Sequence, residues 1–303
     1  MLSYQNKMIT RRHFLKTGAA LAAMGMMPSG ISCNTATKEK AIGLQLWSIN
    51  RAISEDFESA IKSVVDIGYK HLESYGYTDR KFYGRTPRDL KKFLADLNAQ
   101  MTGSHITLNM LEPNDTAGWD FWKKATVDAA ELGCKWIVQP RWTFNKEASI
   151  SEVLRLAEQF NRCGEIAKSN GIKFSFHSWN DEFRETEGQI PYVVLLNNTD
   201  PGLVSFEIDT VMMYTGGHIP HEFVRKYPGR FCAWHLKEYT PRESNPREHE
   251  LGKGVIDFKG IFESFEIAGT TDYYVEQESY TMPVLESLKY NYDYLNNADF
   301  VKW

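Results

Sequence analysis

The chain has 303 residues, of which 42% are hydrophobic and 24% are charged, and its formal net charge is -4. This composition is typical of a globular protein, and the lack of a basic stripe excludes nucleic acid as an expected partner. The length fits one large domain, because α/β barrels reach about 250 residues as single domains. Aromatic residues make up 13% of the chain, including eight Trp, which suits either a carbohydrate-binding cleft or a densely packed core.

The first 40 residues are predicted to be a leader and linker that lie outside the fold. Arg11 and Arg12 precede Phe-Leu-Lys and a weakly apolar run rich in Ala and Gly. This order resembles a twin-arginine export signal, and the alternative is the start of a basic amphipathic helix. The apolar run is too short and too rich in glycine to span a membrane. Cys33 is a candidate lipid anchor, although Gly30 stands where a lipobox has Leu. We therefore expect an exported protein, periplasmic or lipid-anchored at the cell envelope.

From residue 41 to residue 303, short apolar runs alternate with helical patterns. The first helical pattern places Phe57, Ala60, Ile61 and Val64 on one face, and a later one begins at the N-cap candidate Thr86. The predicted strands cover residues 41–48, 69–75, 101–107, 135–140, 172–179, 203–209, 231–238 and 273–279. Eight strand-then-helix units predict an α/β fold, a single-domain (β/α)8 TIM barrel. A doubly wound open sheet is the alternative, but no Gly-rich phosphate fingerprint follows the first strand.

The cysteines beyond the leader do not form a recognisable framework. Cys134, Cys163 and Cys232 are odd in number and show no C-x-x-C spacing. We therefore expect them to be small core residues and not members of a disulfide set or a zinc site.

Polar residues end nearly every predicted strand. Strands of a parallel barrel are buried on both faces, so a polar group there is costly unless it is paired or liganded. The carboxyl ends of all eight strands face one side of a barrel, where barrel enzymes hold their active sites. The residues at these ends are Glu73, His105, Gln139, His177, Asp209, His235 with Lys237, and Glu276 with Glu278.

Four of these residues form a candidate metal site. His177, Asp209, His235 and Glu276 come one from each of the last four strands. Two imidazoles and two carboxylates suit Mn²⁺, Co²⁺, Zn²⁺ or Fe²⁺, and Mg²⁺ less readily. For each residue alone, an ion pair or a capping hydrogen bond is the alternative. Together they predict one divalent metal ion, with Mn, Co or Zn as the leading candidates and Mg also possible.

Several motifs together resemble a known family. The segments GLQLWS, GYKHLESYGY, FHSWNDEF, FEIDT, KYPGRFCAWHLKE, GKGVIDF and YVEQES resemble the xylose isomerase-like barrel superfamily of sugar phosphate isomerases/epimerases, over about residues 41–300. The resemblance implies a (β/α)8 barrel with one divalent metal held by the four residues above, and Lys237 aimed at a substrate oxygen. Keto-sugar epimerases of this superfamily carry Glu where this chain has His177. Trp179 stands where many exported relatives have a second imidazole.

These features predict an enzyme that removes a proton next to a sugar carbonyl, through an enediolate that a metal stabilises. Glu276 is the first candidate for the base, and Glu278 could exchange roles with it. Lys237 would polarise an oxygen or supply a proton. The predicted catalytic residues are Glu276, Lys237 and Glu73, and the predicted substrate-binding residues are His105, Trp47, Trp179, Gln139 and Glu278. For both tryptophans the alternative is core packing, and Glu207 is expected in an ion pair inside the barrel.

The sequence leaves the reaction class open. Isomerase or epimerase chemistry on a sugar or keto-sugar is the first expectation. A lyase or hydratase acting on 3-keto-glycosides or derived enol sugars is the second, because His177 removes one carboxylate that a two-base epimerisation would use. A non-catalytic sugar-binding protein is a third expectation. A metallohydrolase of the endonuclease type would need more His and Asp ligands and a basic groove, and neither is evident.

Overall fold

A computed structural model describes residues 40–112, 114–142, 148–241 and 247–301 of the protein. The predicted leader, with Arg11, Arg12 and the candidate anchor Cys33, lies outside the described residues. Within the described ranges, every helix falls short of the length and apolar character that crossing a membrane requires.

Eight parallel strands close into a barrel, as the sequence predicts. In chain order the strands are β1 (Gly43–Gln45), β2 (His71–Ser74), β3 (Tyr77–Thr78), β4 (Lys81–Phe82), β5 (Gln100–His105), β6 (Trp136–Gln139), β7 (Lys173–His177), β8 (Val204–Asp209), β9 (Phe231–Leu236), β10 (Glu238–Thr240), β11 (Arg247–His249) and β12 (Asp272–Val275). The barrel order is β1-β12-β9-β8-β7-β6-β5-β2. Because β1 pairs with both β2 and β12, the sheet has no free edge, which excludes the doubly wound alternative. The pairs β3-β4 and β10-β11 form small antiparallel sheets.

Helices follow the barrel strands and cover the outside of the barrel. They are α1 (Asn50–Glu55), α2 (Phe57–Ile67), α3 (Pro87–Asp96), α4 (Thr116–Leu132), α5 (Ile150–Ser169), α6 (Pro191–Asn198), α7 (Thr210–Thr215), α8 (Pro220–Val224), α9 (Phe258–Ala268) and α10 (Val284–Asn297). Two 3₁₀ helices cover Leu46–Ile49 and Asn180–Phe183. Thr86 caps α3 as predicted, since its side chain accepts the Asp89 N–H, and Ser149 and Glu152 form a capping box at the start of α5.

The core confirms the prediction that the cysteines beyond the leader are buried core residues. Cys134, Cys163 and Cys232 are buried and free. Cys232 packs with Trp136, Val138, Ala233 and Tyr274 in a cluster separate from the main core. The strands that supply this cluster lie on opposite sides of the barrel order, so the cluster fills the barrel interior.

The strands end earlier than the sequence suggests, and this changes the setting of three site residues. Strand β9 ends at Leu236 and β12 ends at Val275, so Lys237, Glu276 and Glu278 lie beyond the strands and not on a strand face. The pairing of β12 stops because the Gln277 N–H donates to the Ser48 hydroxyl and not to a neighbouring strand. These side chains therefore stand at the start of loops, above the barrel.

Candidate active site

A cavity of about 490 Å³ opens at the carboxyl ends of the barrel strands. Its floor is polar and its upper walls are largely aromatic. The residues that line it are Gln45, Trp47, Tyr75, Tyr77, His105, Ile106, Thr107, Phe121, Pro140, Arg141, His177, Trp179, Asp209, Met212, His235, Lys237, Glu276 and Glu278. The size is in the range of pockets that enclose small organic ligands.

The four predicted metal ligands come together on the floor of this cavity. His177 and Asp209 are the last residues of β7 and β8, His235 lies one residue before the end of β9, and Glu276 follows β12. One ligand atom from each of the four lies within 4.8 Å of the others, and all four residues are buried. The structure thus groups the set that the sequence predicts.

In His177, Asp209 and His235, one polar atom contacts a group outside the set, and the other polar atom faces the centre of the set. The Nδ1 atom of His177 lies 2.8 Å from the Pro140 carbonyl oxygen, so Nε2 faces the centre. Asp209 caps α7, because its Oδ1 accepts the N–H groups of Val211 and Met212 at 2.9 and 3.0 Å. The Nε2 atom of His235 is 2.6 Å from a Glu73 oxygen, and its Nδ1 lies 2.7 Å from Glu276 Oε2 inside the set.

These inward atoms fit a metal ion. His177 Nε2 is buried and has no hydrogen-bond partner within the described residues, and Asp209 Oδ2 lies 3.7 Å from it. Asp209 Oδ2 and His235 Nδ1 also face the centre, with Lys237 Nζ at 3.1 Å from the first and Glu276 Oε2 at 2.7 Å from the second. Buried polar atoms without hydrogen bonds are costly. A cation among two imidazole nitrogens and two carboxylate oxygens would satisfy all of them, and the outer hydrogen bonds fix each ring as metal sites require.

Lys237 places a positive charge against the same set. Its Nζ lies 3.1 Å from Asp209 Oδ2, 3.1 Å from Glu276 Oε2 and 2.6 Å from Glu278 Oε1. Burial alone would raise the pKa of Asp209, but Lys237 and His177 outweigh burial and bring it to about 2. Burial likewise would raise the pKa of Glu276, yet Lys237 and His235 hold it well below its usual range. Both carboxylates are therefore ionised at neutral pH.

A second polar layer lies beneath the first. His105 Nε2 is 2.8 Å from a Glu207 oxygen and 3.3 Å from a Glu73 oxygen. His235 Nε2 is 3.4 Å from the same Glu207 oxygen, and the Gln45 amide donates to Glu73 at 2.8 Å. Glu207 is thus in the ion pair expected of it. These four titratable side chains also have ligand atoms within 4.8 Å of one another, and His235 belongs to both sets.

Glu73, a predicted catalytic residue, lies beneath the cavity and does not reach it. Glu73 is fully buried and does not line the cavity, and it contacts His235 on the side away from the cavity. Burial and the Glu207 charge raise its pKa to about 8. Burial would raise the pKa of Glu207 as well, but His235 and His105 bring it to about 2. The sequence places Glu73 at a strand end, which is correct, but it does not reveal the depth of the side chain.

Four of the five predicted substrate-binding residues line the cavity, and Gln139 does not. Trp47, Trp179, His105 and Glu278 belong to the lining. The Gln139 amide bonds the N–H and carbonyl of Leu108 at 2.8 and 3.0 Å and the Arg141 carbonyl at 2.8 Å. All of its hydrogen-bonding groups are used by backbone, so Gln139 holds the loop that follows β5.

An aromatic wall that the sequence does not reveal completes the cavity. It consists of Tyr75 directly after β2, Tyr77 at the start of β3 and Phe121 in α4. The Tyr77 hydroxyl donates to Asp128 at 2.8 Å, and Arg80 binds the same carboxylate at 2.6 and 3.0 Å. The two tyrosines follow a strand end directly, which is a usable signal. Phe121 has none, since it faces away from the buried side of its helix.

A buried carboxyl group supports Trp179 at the cavity mouth. Glu182 is fully buried, and its Oε2 accepts the Trp179 N–H at 2.6 Å. Its Oε1 has no hydrogen-bond partner in the described ranges. Burial raises the pKa of Glu182 to about 8, although the hydrogen bond from the Trp179 backbone opposes the change. The position of Trp179 thus depends on a carboxyl group that is neutral at neutral pH.

Comparison with known proteins agrees with this architecture. The family model described as xylose isomerase-like TIM barrel matches residues 61–297. A twin-arginine translocation signal matches residues 8–28, which confirms the predicted leader and implies export across the cytoplasmic membrane. A sugar phosphate isomerase/epimerase structure from Parabacteroides distasonis ATCC 8503 is 29% identical, with 91% of this chain and 100% of that chain covered and a TM-score of 0.77.

The curated relatives are named as dehydratases and not as isomerases or epimerases. The inosose dehydratase of Geobacillus thermodenitrificans is 26% identical over 150 residues, which are 45% of this chain and 50% of that protein. The chain thus spans about half the length of this relative. The inosose dehydratase of Lacticaseibacillus casei is 24% identical over 246 residues, which are 70% of this chain and 78% of that protein.

Proposed function

Because the chain belongs to the xylose isomerase-like TIM barrel family, we propose that it is an exported lyase. It removes a proton next to the carbonyl group of a cyclic polyhydroxylated ketone and expels an oxygen substituent from the β-carbon. Isomerase or epimerase chemistry is the first expectation from the sequence, and it shares the proton abstraction. The arrangement of acid and base groups in the cavity favours the lyase.

The observation that carries this proposal is the position of Lys237 beside Glu276 on one wall. Their Nζ and Oε2 atoms are 3.1 Å apart. Among the described residues, the facing wall from β5 to β7 contributes His105, Arg141 and His177 to the lining but no carboxylate. An epimerase returns a proton to the opposite face of the carbon, so it needs a second positioned acid there. An elimination needs one base and one acid, which can stand side by side.

In this scheme the proton that Glu276 removes replaces the proton that Lys237 donates, through the contact between these two residues. The Glu276 carboxylate accepts the proton from the α-carbon, and the C–H electron pair forms the new double bond. The C–O bond at the β-carbon breaks, and the Lys237 ammonium gives a proton to the departing oxygen. Transfer of the proton from Glu276 to Lys237 across their 3.1 Å contact then restores both groups. Glu278, at 2.6 Å from Nζ, forms an ion pair with the same ammonium group.

We assign the metal site to the four residues on the cavity floor. His177, Asp209, His235 and Glu276 would hold one divalent ion, for which Mn²⁺, Co²⁺ and Zn²⁺ match the donor set best. Such an ion supplies Lewis acidity toward the substrate carbonyl, which lowers the pKa of the neighbouring C–H. The second oxygen of Glu276 remains available as the base.

The substrate class is supported by two further facts. The curated relatives are named for removal of water from an inosose, and the twin-arginine signal implies that the enzyme meets its substrate outside the cytoplasm. Both suit a cyclic ketone with hydroxyl or glycosidic oxygen at the β-carbon, such as an oxidised glycoside. Location in the periplasm is part of this proposal, and lipid attachment at Cys33 stays a prediction.

Isomerase or epimerase activity is the second candidate. It is supported by the name of the Parabacteroides distasonis structure, which is 29% identical and fully covered by this chain. In that case Lys237 or Glu278 would return the proton.

The decisive experiment incubates the protein in D₂O and Mn²⁺ with 3-keto-glucosides and, separately, with ketohexoses. With 3-keto-glucosides we expect release of the alcohol and an unsaturated keto-sugar, and with ketohexoses we expect no exchange. Lys237→Met should reduce elimination at least 100-fold, because general acids contribute about 10²–10⁴-fold, while Lys259→Met on the exposed face of α9 should behave like wild type. Deuterated epimers from ketohexoses without elimination would establish the second candidate instead. Absence of exchange with every sugar would favour a binding protein.

A further inference from the structure

A second cavity of about 390 Å³ adjoins the first one. It lies between the start of α10, the loop after β12 and the segment that follows β1. Trp47 and Glu278 line both cavities, so these two side chains form a shared wall. The remaining uncharged lining is apolar at Ile49, Ala52, Ala60, Val284 and Leu285 and polar at Ser48, Asn50, Ser63 and Tyr280.

The shared wall contains Glu278, which pairs with the proposed acid Lys237. The Trp47 Nε1 donates to Glu278 Oε2 at 3.3 Å, and the other oxygen of Glu278 is 2.6 Å from Lys237 Nζ. The indole is fixed on its other side by an edge-on contact with Tyr75, at a centroid distance of 4.9 Å. One side chain, Glu278, therefore separates the second cavity from an oxygen that receives a proton from Lys237.

The residues that line the second cavity indicate which kind of substituent it would bind. Its charged lining besides Glu278 is Arg51 and Glu55, which pair with each other at 3.3 Å one turn apart in α1. Val284 and Leu285 are 38% and 44% exposed, and both line this cavity. The space thus offers apolar surface and no unmatched charge for a phosphate or carboxylate.

We propose that the second cavity binds the leaving group, and that the substrate is an oxidised glycoside whose aglycone is apolar. This proposal rests on the lyase function proposed above. The sugar ring occupies the first cavity, the glycosidic oxygen lies at Lys237, and the alkyl or aryl part lies against Leu285. When the C–O bond breaks, the oxygen keeps the bonding electron pair, takes the proton from Lys237 and leaves as a neutral alcohol.

The test compares methyl and n-hexyl 3-keto-β-glucosides. The two alcohols have nearly equal acidity, so bond cleavage is matched and the difference reports on binding of the alkyl chain. Each buried CH₂ group stabilises the complex appreciably, and we expect KM for the hexyl substrate to be at least tenfold lower, with kcat within about threefold. Leu285→Trp fills the cavity without adding charge near Glu278, and it should bring the KM ratio to within about twofold. Ile267→Trp, on an exposed position of α9, should keep the wild-type ratio.

A second variant separates this site from the aromatic wall of the first cavity. If Phe121→Ala abolishes the preference for the hexyl chain and Leu285→Trp does not, the aglycone lies in the first cavity and the proposal is wrong. Equal KM values for the two substrates in the wild-type protein would also overturn it, although the lyase function would stand. If neither substrate is cleaved, the lyase function fails first and the assignment of the second cavity fails with it.

Discussion

Glu182 provides a prediction whose magnitude can be worked out from its burial. The side chain is fully buried, and its pKa is raised to about 8 from the usual 4.5. A raised pKa in the folded state means that the contribution to stability is complete below pH 4.5 and is lost as the pH rises through 8. Glu182→Gln mimics the neutral acid and does not titrate. At about 1.4 kcal/mol per pH unit, the variant should gain on the order of 3 kcal/mol relative to wild type between pH 5 and pH 8.

The assay is denaturant unfolding of both proteins at pH 5, 6.5 and 8. The difference in free energy of unfolding comes from the midpoints, provided that the slope with denaturant is the same for both proteins. Glu185→Gln, an exposed position just after the 3₁₀ helix that contains Glu182, controls for the loss of a negative charge and should show no such trend. A difference between Glu182→Gln and wild type that stays constant within 0.5 kcal/mol, a margin typical for independent sites, would refute the reasoning. Glu182 would then be ionised in the folded protein.

Three further outcomes test the site, the export signal and the aromatic wall. Near-stoichiometric divalent metal should copurify with the protein, and elemental analysis should find it lost in His235→Ala but kept in His221→Ala; active wild-type protein that takes up no metal would contradict the site. Replacing Arg11 and Arg12 by Lys should leave the protein in the cytoplasm, as fractionation would report, and unchanged export would show that another signal acts. Asp128→Asn weakens the charge-assisted bonds that fix the aromatic wall, so KM should rise about fivefold with little change in kcat; a loss confined to kcat would place Asp128 in the chemistry instead.

The fold and the grouping of the four proposed metal ligands were predictable because they depend on local patterns. Eight alternating segments define the barrel, and the last inward residue of each strand must face its mouth. For this reason His177, Asp209 and His235 were identifiable, although nothing in their spacing is specific. The exact ends of β9 and β12 were not predictable, because β12 stops where the Gln277 N–H bonds the Ser48 hydroxyl from a distant segment.

Side chains whose roles depend on distant partners were the ones that sequence reasoning misplaced. Gln139 has the right position for a substrate ligand, but the loop after β5 takes up its amide. Glu73 has the right position for a catalytic acid, but it lies one layer too deep, against His235. Phe121 reaches the cavity from a helix whose pattern marks that face as solvent-exposed. Each outcome is decided by long-range packing, which a single sequence does not contain.

The charge balance of the cavity bears on the identity of the substrate. The proposed ligand set of two imidazoles and two carboxylates carries two negative charges, which a divalent ion would neutralise. Lys237 and Glu278 neutralise each other at 2.6 Å. Among the described lining residues, Arg141 is then the one remaining charge. A phosphorylated sugar would bring about two negative charges into a site with a single cation to receive them, whereas an uncharged keto-glycoside meets a nearly neutral cavity. The electrostatics of the barrel mouth thus agree with a substrate that is uncharged and is met outside the cytoplasm.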